Sequence, residues 1–159
     1  MAVRNNKKKE EEKEKGGSRQ KILVAVDHSE HAKRAFLTAI WLAKSLDARL
    51  VVMHVVPPPP SLPEDLTPVG SLAAIEKSYL KVGSKLLADY AWEAQIKHAM
   101  EVETVLETGD AREKILEAAK DARLVILGSR GMSRVKGVIV GSVSQAVVQK
   151  SKTPVIVVK

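Results

Sequence analysis

The sequence predicts an open, doubly wound α/β domain built on a parallel sheet. Five short runs rich in Val, Ile and Leu alternate with four longer amphipathic segments, a pattern that folds as buried parallel strands covered by helices on both faces. A glycine-rich stretch separates the fourth run from the fourth amphipathic segment: Gly128-Ser129-Arg130-Gly131, nine further residues, then Gly141-Ser142. The length agrees, since 159 residues make about one domain, which buries roughly two-thirds of the surface its unfolded chain exposes.

Residues 1–20 hold seven Lys/Arg and four Glu with almost no apolar side chain. They cannot offset the entropy of ordering and are expected to form a mobile charged tail, with the folded domain over 21–159. Strands are expected at Lys21–Asp27, Arg49–Val56, Val102–Glu107, Arg123–Gly128 and Pro154–Val158. The first helix follows Ser29 as N-cap, with Ala32, Ala35, Phe36, Ala39, Ile40, Ala43 and Leu46 on one face. The second runs from about Val69 to His98 and aligns Leu72, Ile75, Tyr79, Val82, Leu86, Tyr90 and Ala94. The third begins at Asp110 and buries Ile115, Leu116 and Ala119; the fourth begins near Gly141 and buries Val143, Ala146, Val147 and the stem of Lys150. Residues 57–68 contain six prolines and form a semi-rigid connection, with a proline-rich docking segment as the less common alternative.

Composition narrows the functional classes. The chain has no cysteine, which removes disulfides, thiolate chemistry and Cys-ligated metals and fits a reducing cytoplasm. No run approaches the ~18 apolar residues of a membrane span, and the N-terminus is charged where a signal peptide is apolar, so a cytoplasmic protein without a membrane anchor is expected. Three of the seven net positive charges fall in the tail and four are spread over the body. Nucleic-acid binding would gather Lys and Arg with stacking aromatics, whereas Phe36, Trp41, Tyr79, Tyr90 and Trp92 stand at helical positions away from the Lys clusters. Nucleic acid is therefore not an expected partner.

A glycine-rich loop between a buried strand and a helix start can cradle phosphate. Main-chain N–H groups close on an anion where no Cβ blocks them, and the first N–H groups of a helix have no intrahelical partner. The loop is neither a P-loop, because no Lys follows its final Gly, nor the dinucleotide GxGxxG fingerprint. Strand order 3-2-1-4-5 puts the ligand crevice between the first and fourth strands, where Asp27 and Gly128 end their strands. Asp27 suits a ribose hydroxyl or, indirectly, a phosphate-bound Mg²⁺; its plainer role is a turn residue leading into the first helix.

The spacing G-x2-G-x9-G-[ST] resembles the nucleotide-binding motif of the universal stress protein family. The resemblance extends over 21–159 through Lys21-Ile22-Leu23-Val24-Ala25-Val26-Asp27-His28-Ser29, Leu50-Val51-Val52-Met53-His54-Val55, Thr108-Gly109-Asp110 and Thr153-Pro154-Val155-Ile156-Val157-Val158. It implies a Rossmann-like, adenine nucleotide alpha hydrolase-like domain of the ATP-binding subclass. Carried over, Gly128, Gly131, Gly141 and Ser142 hold phosphates and ribose, with Val143 and Ser144 adding contacts at the helix start. Ala25, Val26, Asp27 and Val55 line the adenine and ribose side, and Leu127 and Arg130 complete the nucleotide set. Ala25 departs from the Pro common in ATP-binding relatives, which affects only the adenine wall. The implied ligand is ATP with Mg²⁺, with ADP or AMP as alternatives.

Other residues carry weaker signals. His28 and His31 are three apart, yet no Asp, Glu or third His completes a metal site in sequence, so no protein metal centre is expected. His54 reads as a core histidine with one hydrogen bond, and Tyr79, Tyr90 and Trp92 read as core. Ser129, Arg130, Ser133 and Arg134 are donors or cations, and the loop offers no base for water. The expected function is a nucleotide-regulated homodimeric switch in stress response with at most slow ATP hydrolysis. A dimeric interaction module without nucleotide and an ATP-hydrolysing or adenylyl-transferring enzyme are the alternatives. The homodimer is expected to pair through Pro154–Val158, an apolar edge strand of the kind proteins cover or pair.

Overall fold

The computed structural model describes residues 20–59, 71–131 and 140–159. The expected tail as far as residue 19, most of the proline-rich connection, Val69, Ser133 and Arg134 lie outside them. In chain order the elements are β1 (Lys21–Ala25), α1 (Glu30–Ser45), β2 (Arg49–Val56), α2 (Ser71–His98), β3 (Glu103–Thr108), α3 (Ala111–Ala119), β4 (Leu124–Gly128), α4 (Ser142–Lys150) and β5 (Val155–Val158). The sheet is five-stranded and parallel throughout, in the order β3-β2-β1-β4-β5. The fold class and strand order are those the alternating pattern predicts.

Strand alternation divides the core in two. Ile22, Val24, Leu50, Val52 and Ile126 point to the face covered by α1 and α2, where Phe36 and Tyr90 meet edge to face at 4.7 Å between ring centroids. Leu23, Val51, Met53, Val125 and Leu127 point to the opposite face, covered by α3 through Ile115 and Ala119 and by α4 through Val147. Complete burial of a large apolar side chain such as Phe36 contributes about 2–3 kcal/mol. Both faces of the central strands are thus dry, which is why these runs are continuously apolar instead of alternating.

Local chemistry sets the helix ends. Ser29 caps α1, its hydroxyl accepting from the Ala32 N–H at 3.1 Å, and the Asp110 carboxylate caps α3 by accepting from the Arg112 N–H at 2.8 Å. Gly83, in the interior of α2, pays roughly 1 kcal/mol in helix propensity. A Cβ there would stand 2.8 Å from Leu106 Cδ1 and 2.9 Å from Val56 Cγ2, so the glycine lets α2 lie directly on β2 and β3.

Several helix positions differ from their expected burial. Leu46 is 60% exposed because it is the C-cap of α1, beyond the last residue that faces the sheet. Tyr79 and Val82 are exposed as well. The 28 residues of α2 span about 42 Å, while the eight of β2 span about 26 Å, so the turns of α2 before Gly83 overhang the sheet. Trp92 lies on the outer side of α2, and the Lys150 stem is exposed at the end of α4.

Candidate functional site

Parallel pairing aligns Ala25 of β1 with Leu127 of β4, so the chain leaves both strands at the same end of the sheet, where strand order reverses. Two side-chain bonds join the departing segments. The Ser29 hydroxyl donates to the Arg130 carbonyl at 3.2 Å, and the Ser129 hydroxyl lies 3.0 Å from His31 Nδ1. Arg34 also approaches that nitrogen, at 3.4 Å; a guanidinium can only donate, so Nδ1 is the acceptor and Ser129 the donor.

The three motif glycines have different surroundings. At Gly128 a Cβ would stand 2.7–2.9 Å from the His31 carbonyl carbon, the His31 Cβ and the Ala32 nitrogen, so this glycine lets α1 start against the end of β4. At Gly131 a Cβ would stand 2.8 Å from Asp27 Oδ2, so the loop closes over the carboxylate. Gly141 is unlike both. Its backbone is extended (φ −70°, ψ 160°) and a Cβ would meet only ordinary contacts at 3.5 Å and beyond. Among the described residues, neither backbone conformation nor packing demands glycine there.

Gly141 is the N-cap of α4, and unlike the caps of α1 and α3 it supplies no side-chain hydrogen bond. The first turn of α4 contains no acidic residue, so its orphan N–H groups and positive dipole end meet no neutralising carboxylate of their own helix. The Ser129 carbonyl fixes this helix start, accepting from the Gly141 N–H at 2.7 Å and the Ser144 hydroxyl at 3.0 Å. Ser144, 3% exposed, shares its hydrogen with the Gly141 carbonyl at 3.1 Å. Its hydroxyl is thus turned into the loop. Ser142 is exposed at the first helical position.

Asp27 takes the turn role expected of it. Oδ1 accepts from the Ser29 N–H at 2.8 Å, the turn leading into α1, while Oδ2 faces Gly131. Ala25, Val55, Leu127 and Val143 belong to the core cluster on the α3/α4 side, Leu127 buried and the other three partly so. Val26 does not join them. It is buried in the α1/α2 core, and its main chain is engaged by Met53 and by His54, whose Nδ1 donates to the Val26 carbonyl at 2.8 Å. Arg130 is half-buried beside the loop glycines.

On the other side of Asp27, a cleft of about 200 Å³ opens between α1 and α2, lined by Asp27, His28, Ser29, Glu30, Lys33, Leu86, Asp89, Tyr90 and Glu93. The Tyr90 hydroxyl donates to the Asp27 carbonyl at 3.2 Å. Burial pushes it up to about 12, helped by the charges of Asp27, Glu93 and Glu30. Burial also raises Glu93, but hydrogen bonds from Lys97 and Lys33 outweigh it and hold this carboxyl below its ordinary value. Among the described residues no group of three or more His, Cys, Asp and Glu could hold a metal ion, and no helix is long and apolar enough to cross a membrane.

Sequence reasoning missed Ser129 and His31 as the tie between loop and helix, and Tyr90 as a support of Asp27. Their partners are 98 and 63 residues away in sequence, and no local pattern encodes them.

The family model described as the universal stress protein family matches residues 18–159. The chain is 34% identical to universal stress protein YxiE of Bacillus subtilis over 87% of its own length and 98% of that protein. It is 32% identical to the Bacillus subtilis stress response protein NhaX, over 87% and 97% of the two chains. Universal stress protein UspA from Lactobacillus plantarum superposes with a TM-score of 0.78 at 27% identity, covering 89% of this chain and 99% of that one. With the glycine spacing and the sheet order, these likenesses place the chain in the universal stress protein family.

Proposed function

We propose that the protein binds ATP at the junction of β1, β4 and α4, and that occupancy biases a cytoplasmic homodimer acting in stress response. The observation that carries this reading is the α4 start: an N-terminus without a side-chain cap, opening on a glycine that no packing among the described residues requires. Gly141, Ser142 and the first N–H groups of α4 would hold phosphates, with Arg130 adding positive charge. Gly128 and Gly131 would let the loop approach, and Asp27 Oδ2 would accept from a ribose hydroxyl. Ala25, Val55, Leu127 and Val143 offer the apolar wall for adenine, Val26 contributes main chain, and Ser144 positions the helix start. Mg²⁺ would be held mainly by phosphate and water, with the Asp27 carboxylate acting indirectly. Two folds like this one, at 24% and 22% identity, are described in complex with cAMP and with dAMP.

Nothing in the described loop is placed as a base for water, so turnover is expected below roughly one per second, the low end of ordinary enzymes. The homodimer would use the free edge of β5.

The deciding experiment is to denature the purified protein, identify any released nucleotide by mass and absorbance, and titrate ATP calorimetrically into the wild type and Gly141→Glu. The carboxylate would occupy the anion site and repel phosphate, so wild type should bind and the variant should not. Equal affinities would remove the phosphate assignment. A protein that neither carries nor binds adenine nucleotide would favour the interaction module without nucleotide.

A further inference from the structure

Both tryptophans of the chain are exposed, Trp41 at 65% and Trp92 at 61%. They share the outer surface of the α1/α2 layer with Leu37 at 39% and Ile96 at 63%. The two helices cover the same sheet face, and their alignment is fixed by the Lys33–Glu93 ion pair at 3.3 Å and the Phe36–Tyr90 contact. Leu37 lies one turn beyond Lys33 on α1, and Ile96 one turn beyond Glu93 on α2, so they flank one seam. Trp41 follows Leu37 by a further turn, and Trp92 stands on the outer side of α2. At these exposures the four side chains present about 500 Å² of mainly apolar surface, near the upper end of what a monomer leaves open.

We propose that this face is a self-association surface, packing α1 and α2 of one copy on the same helices of a second copy about a twofold axis. The charges favour a second copy over a lipid surface or an acidic partner. Along α2 two carboxylates, Asp89 and Glu93, are flanked by Lys85 and Lys97, which pair with them at 2.9 and 3.2 Å. An antiparallel twofold centred near Glu93 sets Asp89 opposite the partner's Lys97 and brings Trp92 within a turn of the partner's Ile96, each contact occurring twice. Glu93 does not oppose its own copy, because its side chain is 13% exposed and turned beneath Lys33 and Lys97. An anionic bilayer or an acidic peptide would instead have to accept Asp89 beside the tryptophans. Two patches bury about 1,000 Å² before rim residues are counted, the size of a weak specific interface. The face includes neither β5 nor the α4 start, so the inference stands apart from the nucleotide reading.

Because both tryptophans lie in the patch, intrinsic fluorescence of the full chain reads association directly. Emission should move to shorter wavelength as concentration rises through the micromolar range, while light scattering gives a mass about twice that of the double variant Trp92→Asp/Ile96→Asp. That variant changes two exposed positions; it should keep the wild-type circular dichroism and melting while its Trp41 emission stays that of exposed indole at every concentration. Equal masses for wild type and variant, or exposed emission at all concentrations of wild type, would overturn the proposal. A shift that requires phosphatidylserine vesicles and leaves the solution mass unchanged would also overturn it, assigning the face to a lipid surface.

Discussion

Gly128 lies so close to His31 that an added Cβ would stand 2.7 Å from the histidine's carbonyl carbon. Gly141, in the same motif, would place a Cβ only in ordinary contact. The motif therefore holds one glycine that packing requires and one that the described packing does not. Gly128→Ala should destabilise the protein by about 1–3 kcal/mol, the cost of forcing a methyl group into a packed contact that includes backbone. Gly141→Ala should leave stability within about 0.5 kcal/mol and weaken ATP binding. Urea unfolding and calorimetry on both variants check this, and equal destabilisation by the two would contradict the distinction.

Ser144 is expected to act through the loop it holds. Its buried hydroxyl bonds the carbonyls of Ser129 and Gly141, and Ser144→Ala should cost about 1 kcal/mol of stability, the usual net value of such a bond. ATP affinity should fall several-fold in the same variant, because the α4 start loses part of its anchor to β4. Unchanged affinity alongside the stability loss would limit Ser144 to a structural role.

The fold was legible in the sequence because burial on both faces of β1, β2 and β4 leaves continuous apolar runs, and because Ser29 and Asp110 mark helix starts by local chemistry that depends on no distant partner. The motif spacing likewise brought Gly128, Gly131 and Gly141 to notice. Their separate reasons were not legible, since each depends on what another element places beside the glycine: α1 at Gly128, Asp27 at Gly131, and only ordinary contacts among the described residues at Gly141. Tyr79 and Val82 fit the helical period as well as Leu86 and Tyr90 do. Only the overhang of α2 past the sheet separates them, and periodicity carries no information about where a sheet ends.

Tyr90 gives the protein an alkaline limit. Its hydroxyl is raised from 10 to about 12, first by burial and then by neighbouring carboxylates. Below pH 10 folded and unfolded chains both keep the proton, so the contribution is complete. As pH rises from 10 towards 12 the unfolded chain loses its proton first, and stability falls by roughly 1–2 kcal/mol once solvent screening of the partly exposed hydroxyl is allowed for. Tyr90→Phe should start less stable, having lost the bond to the Asp27 carbonyl, and should decline less steeply above pH 10. Urea midpoints on either side of that pH, compared between the two proteins, give the slope; parallel declines would assign the alkaline loss to other groups.

The β5 edge offers the sharpest test of the proposed homodimer. The carbonyls of Pro154 and Val158 accept from Val125 and Ser129 at 3.0 and 2.6 Å, so the even-numbered residues of β5 direct their main-chain groups to β4. Successive residues of a strand alternate in this respect. The N–H of Ile156 therefore belongs to the β4 ladder, and those of Val155 and Val157 point to the free edge. Proline removes one donor and tolerates only edge positions. Val157→Pro should give a folded protein that binds ATP but no longer pairs through β5, whereas Ile156→Pro should lower stability by a few kcal/mol through the lost ladder bond and ring clash. Light scattering and circular dichroism separate the two outcomes. If Val157→Pro keeps the wild-type mass, the dimer does not use this strand.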